Sequence, residues 1–165
     1  MNRFADYFSN YVNDDTITYI GNGDITSFTV SRQDRELAVG LNFESFVDYG
    51  IVENSQNQIA RAMELKKVHI NPRFPKSEFS LDNIERILEY VRHESPAANG
   101  FFDGCEAELE DRTLTLCLKK GGKDVLESQK VDRAIANKIY ELFDLDFVVI
   151  FLEVQAFDIE KAVQK

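Results

Sequence analysis

The 165-residue chain has no tryptophan, only two cysteines, two histidines and three prolines, and too few cations to balance its acids: 19 Lys and Arg against 29 Asp and Glu, a formal net charge of −10. Each shortage excludes something. Two cysteines without a second pair leave no ligand set for a structural zinc site. The histidines, His69 and His93, stand in no metal-type spacing, and no Ser or Cys nucleophile context accompanies them. An acidic chain repels a phosphate backbone unless its few cations gather on one face, so proteins are the default partners. No apolar run approaches the about 18–20 residues of a membrane helix, and the longest, Phe147–Leu152, is strand-length. The start, Met1-Asn2-Arg3-Phe4-Ala5-Asp6, lacks the features of a signal peptide, which leads us to expect a cytoplasmic protein.

What is present suffices for real cores: hydrophobic residues are 44% of the chain, with 13 Phe and 6 Tyr among them. Phe4, Tyr7, Phe8 and Tyr11 make the stripe of an amphipathic helix over Arg3–Tyr11, which Asn13, Asp14 and Asp15 end. Ile25–Ser31 and Glu36–Phe43 alternate as strands, with Phe28 and Val30 on one face of the first and Leu37, Val39, Leu41 and Phe43 on one face of the second. Val52, Ile59, Met63 and Leu65 recur at helical spacing over Ile51–Leu65, and Lys67–Phe74 is a third strand. Pro72 and Pro75 confine that strand to an edge or an end. The order then returns. Ser80 caps a helix with a stripe of Leu81, Ile84, Ile87, Leu88 and Val91. Asn99-Gly100 and Asp103-Gly104 turn the chain into a hairpin of Cys105–Glu110 and Thr113–Lys119. A long helix, Val125–Phe143, carries Val131, Ile135, Ile139, Leu142 and Phe143 on one side, and the apolar strand Phe147–Val154 reads as central to its sheet.

The expected fold class is therefore α+β, with two tandem strand-strand-helix-strand units of a KH-like, split α-β kind. Each is a small three-stranded sheet with helices on one face. The expected boundaries are 1–78 and 79–157, with 158–165 a polar tail or linker.

Several constellations invite chemistry. Asp103, Glu106, Glu108, Glu110 and Asp111 resemble the carboxylates that hold catalytic cations, but Glu106, Glu108 and Glu110 alternate with Ala107 and Leu109 as the wet face of a strand does. His69 alternates with Val68 and Ile70, so it is expected to face solvent, and His93 sits near a helix C-terminus, where the dipole favours an imidazolium. If Leu109 faces Leu114 in the hairpin, Glu106 faces Cys117, and Cys105 and Cys117 point to opposite faces as free thiols. Lys119, Lys120 and Lys123 flank Gly121-Gly122 before a helix; this is a soluble hairpin-to-helix turn or, on the sharper reading, a weak phosphate or single-strand contact. Phe28, Phe43, Phe143 and Phe147 read as core, whereas Phe101-Phe102, beside a Gly-rich turn, reads as a partner-contact patch. No convergent acid, base and nucleophile can be assembled, so no catalytic, cofactor-binding or metal-binding residue is assigned.

The path Ile25–Ser31, Arg35–Phe43, a helix, then Val68-His69-Ile70-Asn71-Pro72-Arg73-Phe74 resembles the first N-terminal domain of PolC-type DNA polymerase III α subunits. The Ser80 helix, Glu106–Leu116, a long helix and Val148-Val149-Ile150-Phe151 resemble the second such domain. The likeness covers about residues 4–155 and rests on element order and strand character. It implies a non-catalytic N-terminal piece of a DNA-directed DNA polymerase with 3′–5′ exonuclease, acting in replication. The implied partners are the clamp-loader τ subunit and other replisome proteins, with DNA contacted weakly or indirectly. It implies no cofactor and no membrane, and a monomer as an isolated fragment. The alternatives are a KH-like single-stranded nucleic-acid binder, against which the charge and the lack of a Gly-x-x-Gly loop stand, and a free-standing acidic interaction domain.

Overall fold

One antiparallel and one parallel strand pair set the fold of each unit. The computed structural model describes residues 2–98 and 100–153, and the chain divides into two compact units, Met1–Glu78 and Phe79–Lys165. Residues from Val154 on, including the expected tail 158–165, and Asn99 of the expected turn lie outside the described residues. Among the described residues no helix is long and apolar enough to cross a membrane.

In the first unit α1 (Phe4–Phe8) and α2 (Asp14–Ile20) precede β1 (Asp24–Ser31) and β2 (Glu36–Asn42). Then come α3 (Tyr49–Ala62) and β3 (Lys67–Arg73). The sheet order is β1-β2-β3, antiparallel then parallel. A parallel pair needs a crossover, and α3 supplies it, packing on β3. Asn13 begins a helix where the sequence led us to expect an end: its side chain accepts the Thr16 N–H at 2.8 Å and caps α2. The stripe of α1 accordingly buries Phe4 and Phe8 but leaves Tyr7 and Tyr11 exposed.

Leu37, Val39 and Leu41 of β2 are buried and share their face with Val68, Ile70 and Pro72 of β3. Val30 and Phe28 lie opposite Leu37 and Val39, so their face is the expected one. They are nevertheless 51% and 53% exposed, because β1 is an outer strand; the ring of Phe8 stacks on Phe28, 6.3 Å away. Core was the wrong expectation for Phe28, whereas Phe43 is buried. Pro72 is tolerated because β3 is an edge strand. The backbone N–H of Ile70 donates to Gln56 Oε1 at 2.8 Å, so this edge is partly closed by α3. Met63 and Leu65 fall beyond the end of α3, whose buried residues are Val52, Ser55 and Ile59.

The second unit repeats the plan with α4 (Ile84–Glu94), β4 (Glu106–Glu110), β5 (Thr113–Leu118), α5 (Lys123–Ser128), α6 (Val131–Phe143) and β6 (Val148–Glu153). The sheet order is β4-β5-β6, again antiparallel then parallel. Ser80 precedes a 3-10 turn, Leu81–Asn83, and this change of period leaves Leu81 exposed while Ile84, Ile87, Leu88, Tyr90 and Val91 are buried. The hairpin register is the expected one, with Leu109 opposite Leu114 and Glu106 opposite Cys117.

Two expectations fail here. The long helix is broken at Lys130, which takes a left-handed φ of 57°. In one continuous helix Leu126 and Val131 would lie about 140° apart around the axis. The break lets both be fully buried. Second, β6 is an edge strand and not central, pairing among the described residues with β5 alone. Leu114, Leu116, Leu118, Val149 and Phe151 form the buried layer with α6, and Phe143 is buried with them while Phe147 is half-buried.

One charge lies in this core layer. Lys138 of α6 is buried and donates to Glu94 at 2.6 Å and Glu141 at 2.8 Å. Burial pushes its pKa down, but the hydrogen bonds it donates to Glu141 and Glu94 more than offset this, and the net shift is upward from 10.5. A raised folded-state pKa gives stability that is complete below 10.5 and lost as pH climbs through the folded value. Lys138→Met is expected to keep neutral-pH stability within about 1 kcal/mol. Urea melts should show the gap between wild type and variant shifting against the wild type only on the alkaline side of 10.5; a constant gap through that window refutes the role given to Lys138. Leu116→Ala, at a fully buried position, is expected to cost about 2–5 kcal/mol in the same melts.

Candidate interaction surface

The only expected cationic site is the turn between β5 and α5. Gly121 and Gly122 take φ of 71° and 94°, which most side chains avoid, and so let the chain double back. Gly122 also meets a wall, since a Cβ there would lie 2.2 Å from Cδ1 of Phe101. The structure brings Lys119, Lys120 and Lys123 to this turn and places a carboxylate beside each. Lys119 pairs with Glu106 at 3.2 Å, Lys120 with Asp103 at 3.4 Å and Lys123 with Glu127 at 3.9 Å. The backbone N–H of Lys123, at the start of α5, donates to Glu153 Oε1 at 2.7 Å. All three lysines and the first backbone N–H of α5 therefore already face a carboxylate.

The expected aromatic patch separates into two roles. Phe102 is 3% exposed, with its ring 6.1 Å from that of Phe151, so it is core and presents nothing to a partner. Phe101 is half-buried as the wall behind Gly122. Both follow from the turn, whose glycines make room for rings that a sequence reading leaves outside.

Glu106, Glu108 and Glu110 do line one exposed side of β4. Among the described residues no three His, Cys, Asp or Glu side chains gather as a metal site. His69 is exposed on β3, and His93, in the last turn of α4, lies 4.0 Å from Glu89. Both cysteines are free. Burial pushes the Cys105 thiol up, Glu85 adds to this, and Arg92 opposes it, a net shift that disfavours the thiolate.

A cavity of about 370 Å³ opens beside α4, lined by Glu85, Arg86, Glu89, Arg92, Phe102, Asp103 and Gly104. Arg92 pairs with Glu89, although its Nε is buried without a hydrogen-bond partner among the described residues, and Arg86 donates to Asn83 at 2.8 Å. Two guanidiniums among three carboxylates give it no strong preference for either sign of ligand.

The surface that stands apart is the outer face of the second sheet, which the sequence analysis did not single out when it read β6 as a central strand. Side chains alternate along a strand, so the face opposite Val149 and Phe151 carries Val148, Ile150 and Leu152. These are 61%, 42% and 47% exposed. Thr113, Thr115 and Cys117 of β5 lie beside them, and Glu110, Glu108 and Glu106 of β4 lie beyond. The face thus runs from an aliphatic row through a half-exposed row to an acidic row. The available signal was the uninterrupted apolar run itself, which describes an edge strand with one open face as well as a central one.

No family model matches the chain, no curated protein matches it, and no solved structure does.

Gly122→Ala is expected to destabilise the second unit by about 1–3 kcal/mol, because the added methyl meets the Phe101 ring at a positive φ. Gly100→Ala, at φ 89° but facing open space, should cost less. Thermal melts of the two variants test this; equal losses would remove Phe101 from the explanation.

Proposed function

We propose that this chain is a non-catalytic, cytoplasmic protein-docking module of a replicative DNA polymerase, as the N-terminal region of a PolC-type α subunit would be, with the clamp-loader τ subunit as its partner. One contrast carries the reading. Each of the three lysines at the cationic turn is paired with a carboxylate, while Val148, Ile150 and Leu152 stand open on a sheet face with no described element over them. An exposed aliphatic row costs solvation free energy of about 25 cal/mol per Å² of apolar surface, which a partner recovers on covering it. The net charge of −10 supports a protein partner over a phosphate backbone. The resemblance of the element order to PolC-type domains supplies the replicative setting.

Isothermal titration of the purified chain with the τ subunit tests this. A one-to-one complex of micromolar or tighter affinity is expected, with no nuclease or polymerase activity in the chain alone. Absence of measurable heat at high concentration of both proteins would count against the reading. A companion titration with a fluorescent single-stranded oligonucleotide at physiological salt is expected to show no saturable binding. Tight binding lost in a variant with Lys119, Lys120 and Lys123 all changed to Gln would favour the nucleic-acid alternative instead.

A further inference from the structure

The two units share a topology, so each is a control for the other. In the first sheet the outward residues of β3 are Lys67, His69, Asn71 and Arg73, all exposed and polar. At the equivalent place in the second sheet, outward from the strand parallel to the middle one, stand Val148, Ile150 and Leu152. Solubility alone would favour the polar solution in both. The difference belongs to the face and not to the fold.

Resting on the docking reading above, we infer that the outer face of the β4-β5-β6 sheet receives a basic amphipathic helix of the partner protein. Its apolar stripe would cover Val148, Ile150 and Leu152, and its lysines or arginines would reach Glu106, Glu108 and Glu110. The dimensions fit. The aliphatic and acidic rows lie two strand spacings apart, about 9–10 Å, which matches the about 10–12 Å width of a helix with its side chains. Charge complementarity selects the sign. Glu108 and Glu110 have no ion pair among the described residues, and Glu106 has Lys119 at 3.2 Å. A partner with an acidic flank would meet three carboxylates of its own sign. The half-exposed row of Thr113, Thr115 and Cys117 gives a low floor between the rows. A strand added at the edge of β6 would extend the sheet sideways, leave the aliphatic row facing water and not touch the glutamates. A helix laid across the face satisfies both rows.

The test uses the whole chain and two probes. The first is a synthetic helical peptide with a leucine stripe flanked by lysines, with a glutamate-for-lysine version as its control. The second is the τ subunit. The chain variants are Ile150→Thr with Leu152→Thr, and Glu108→Gln with Glu110→Gln. These positions are exposed or half-exposed, so the variants should fold, which thermal melts check. The lysine peptide is expected to bind wild type and to lose at least tenfold in affinity with the threonine pair. The glutamine pair should lose about threefold to tenfold and flatten the salt dependence. The glutamate peptide is expected not to bind. Equal binding of the lysine peptide to wild type and both variants, or no binding to any, overturns the inference. If τ binds wild type and all variants alike, docking stands but on another surface, and this face is not its site. If τ binds none while the lysine peptide discriminates among the variants, the face keeps its assignment and the replicase partner is lost.

Discussion

The parallel pairing of β2 with β3, and of β5 with β6, is the constraint on which the rest depends. Two parallel neighbours cannot be joined by a tight turn, so the chain must leave the sheet, cross one face and return. In both units that path is helical. The helices bury Leu37, Val39 and Leu41 in one unit and Leu114, Leu116 and Leu118 in the other. A single crossover covers a single face. The opposite face has no helix from its own connection, and its chemistry is free to vary. In the first unit it is polar, and in the second it is half aliphatic and half acidic.

Charge is arranged in the same economical way. The basic turn at Lys119, Lys120 and Lys123 has a carboxylate beside each lysine, and the buried Lys138 is held by two glutamates whose side chains are largely exposed. That geometry stabilises the ammonium without burying the carboxylates, which limits the desolvation penalty of the pair. On the outer face of the second sheet, Glu108 and Glu110 point outward with no ion pair among the described residues.

Much of the fold was legible because alternation and helical stripes are local properties. The β4–β5 register could be read to the residue, since a one-residue slip would have turned Leu109 and Leu114 outward. The open face could not be read. Phe28, Val30, Val148 and Ile150 carry the same apolar signature as buried strand residues; Phe28 and Val30 are exposed because β1 has a strand neighbour on one side only, and Val148 and Ile150 because no described element covers their face of the sheet. The break at Lys130 was hidden for a related reason. The stripe of α6 is regular on its own, and only the need to bury Leu126 along with it requires the turn. At the other end, Asn13 signals a helix boundary in either direction, and its hydrogen bond to Thr16 settles which.

The sequence by itself determined the two strand-strand-helix-strand units, their acidic character and which residues alternate inward, because those follow from periodicity and composition. Only the tertiary structure decided which strands lie at the edges, which lysines are neutralised and which ring, Phe101 or Phe102, belongs to the core. Those depend on what packs against each residue from elsewhere in the chain, and neighbours in space are not written in the local pattern.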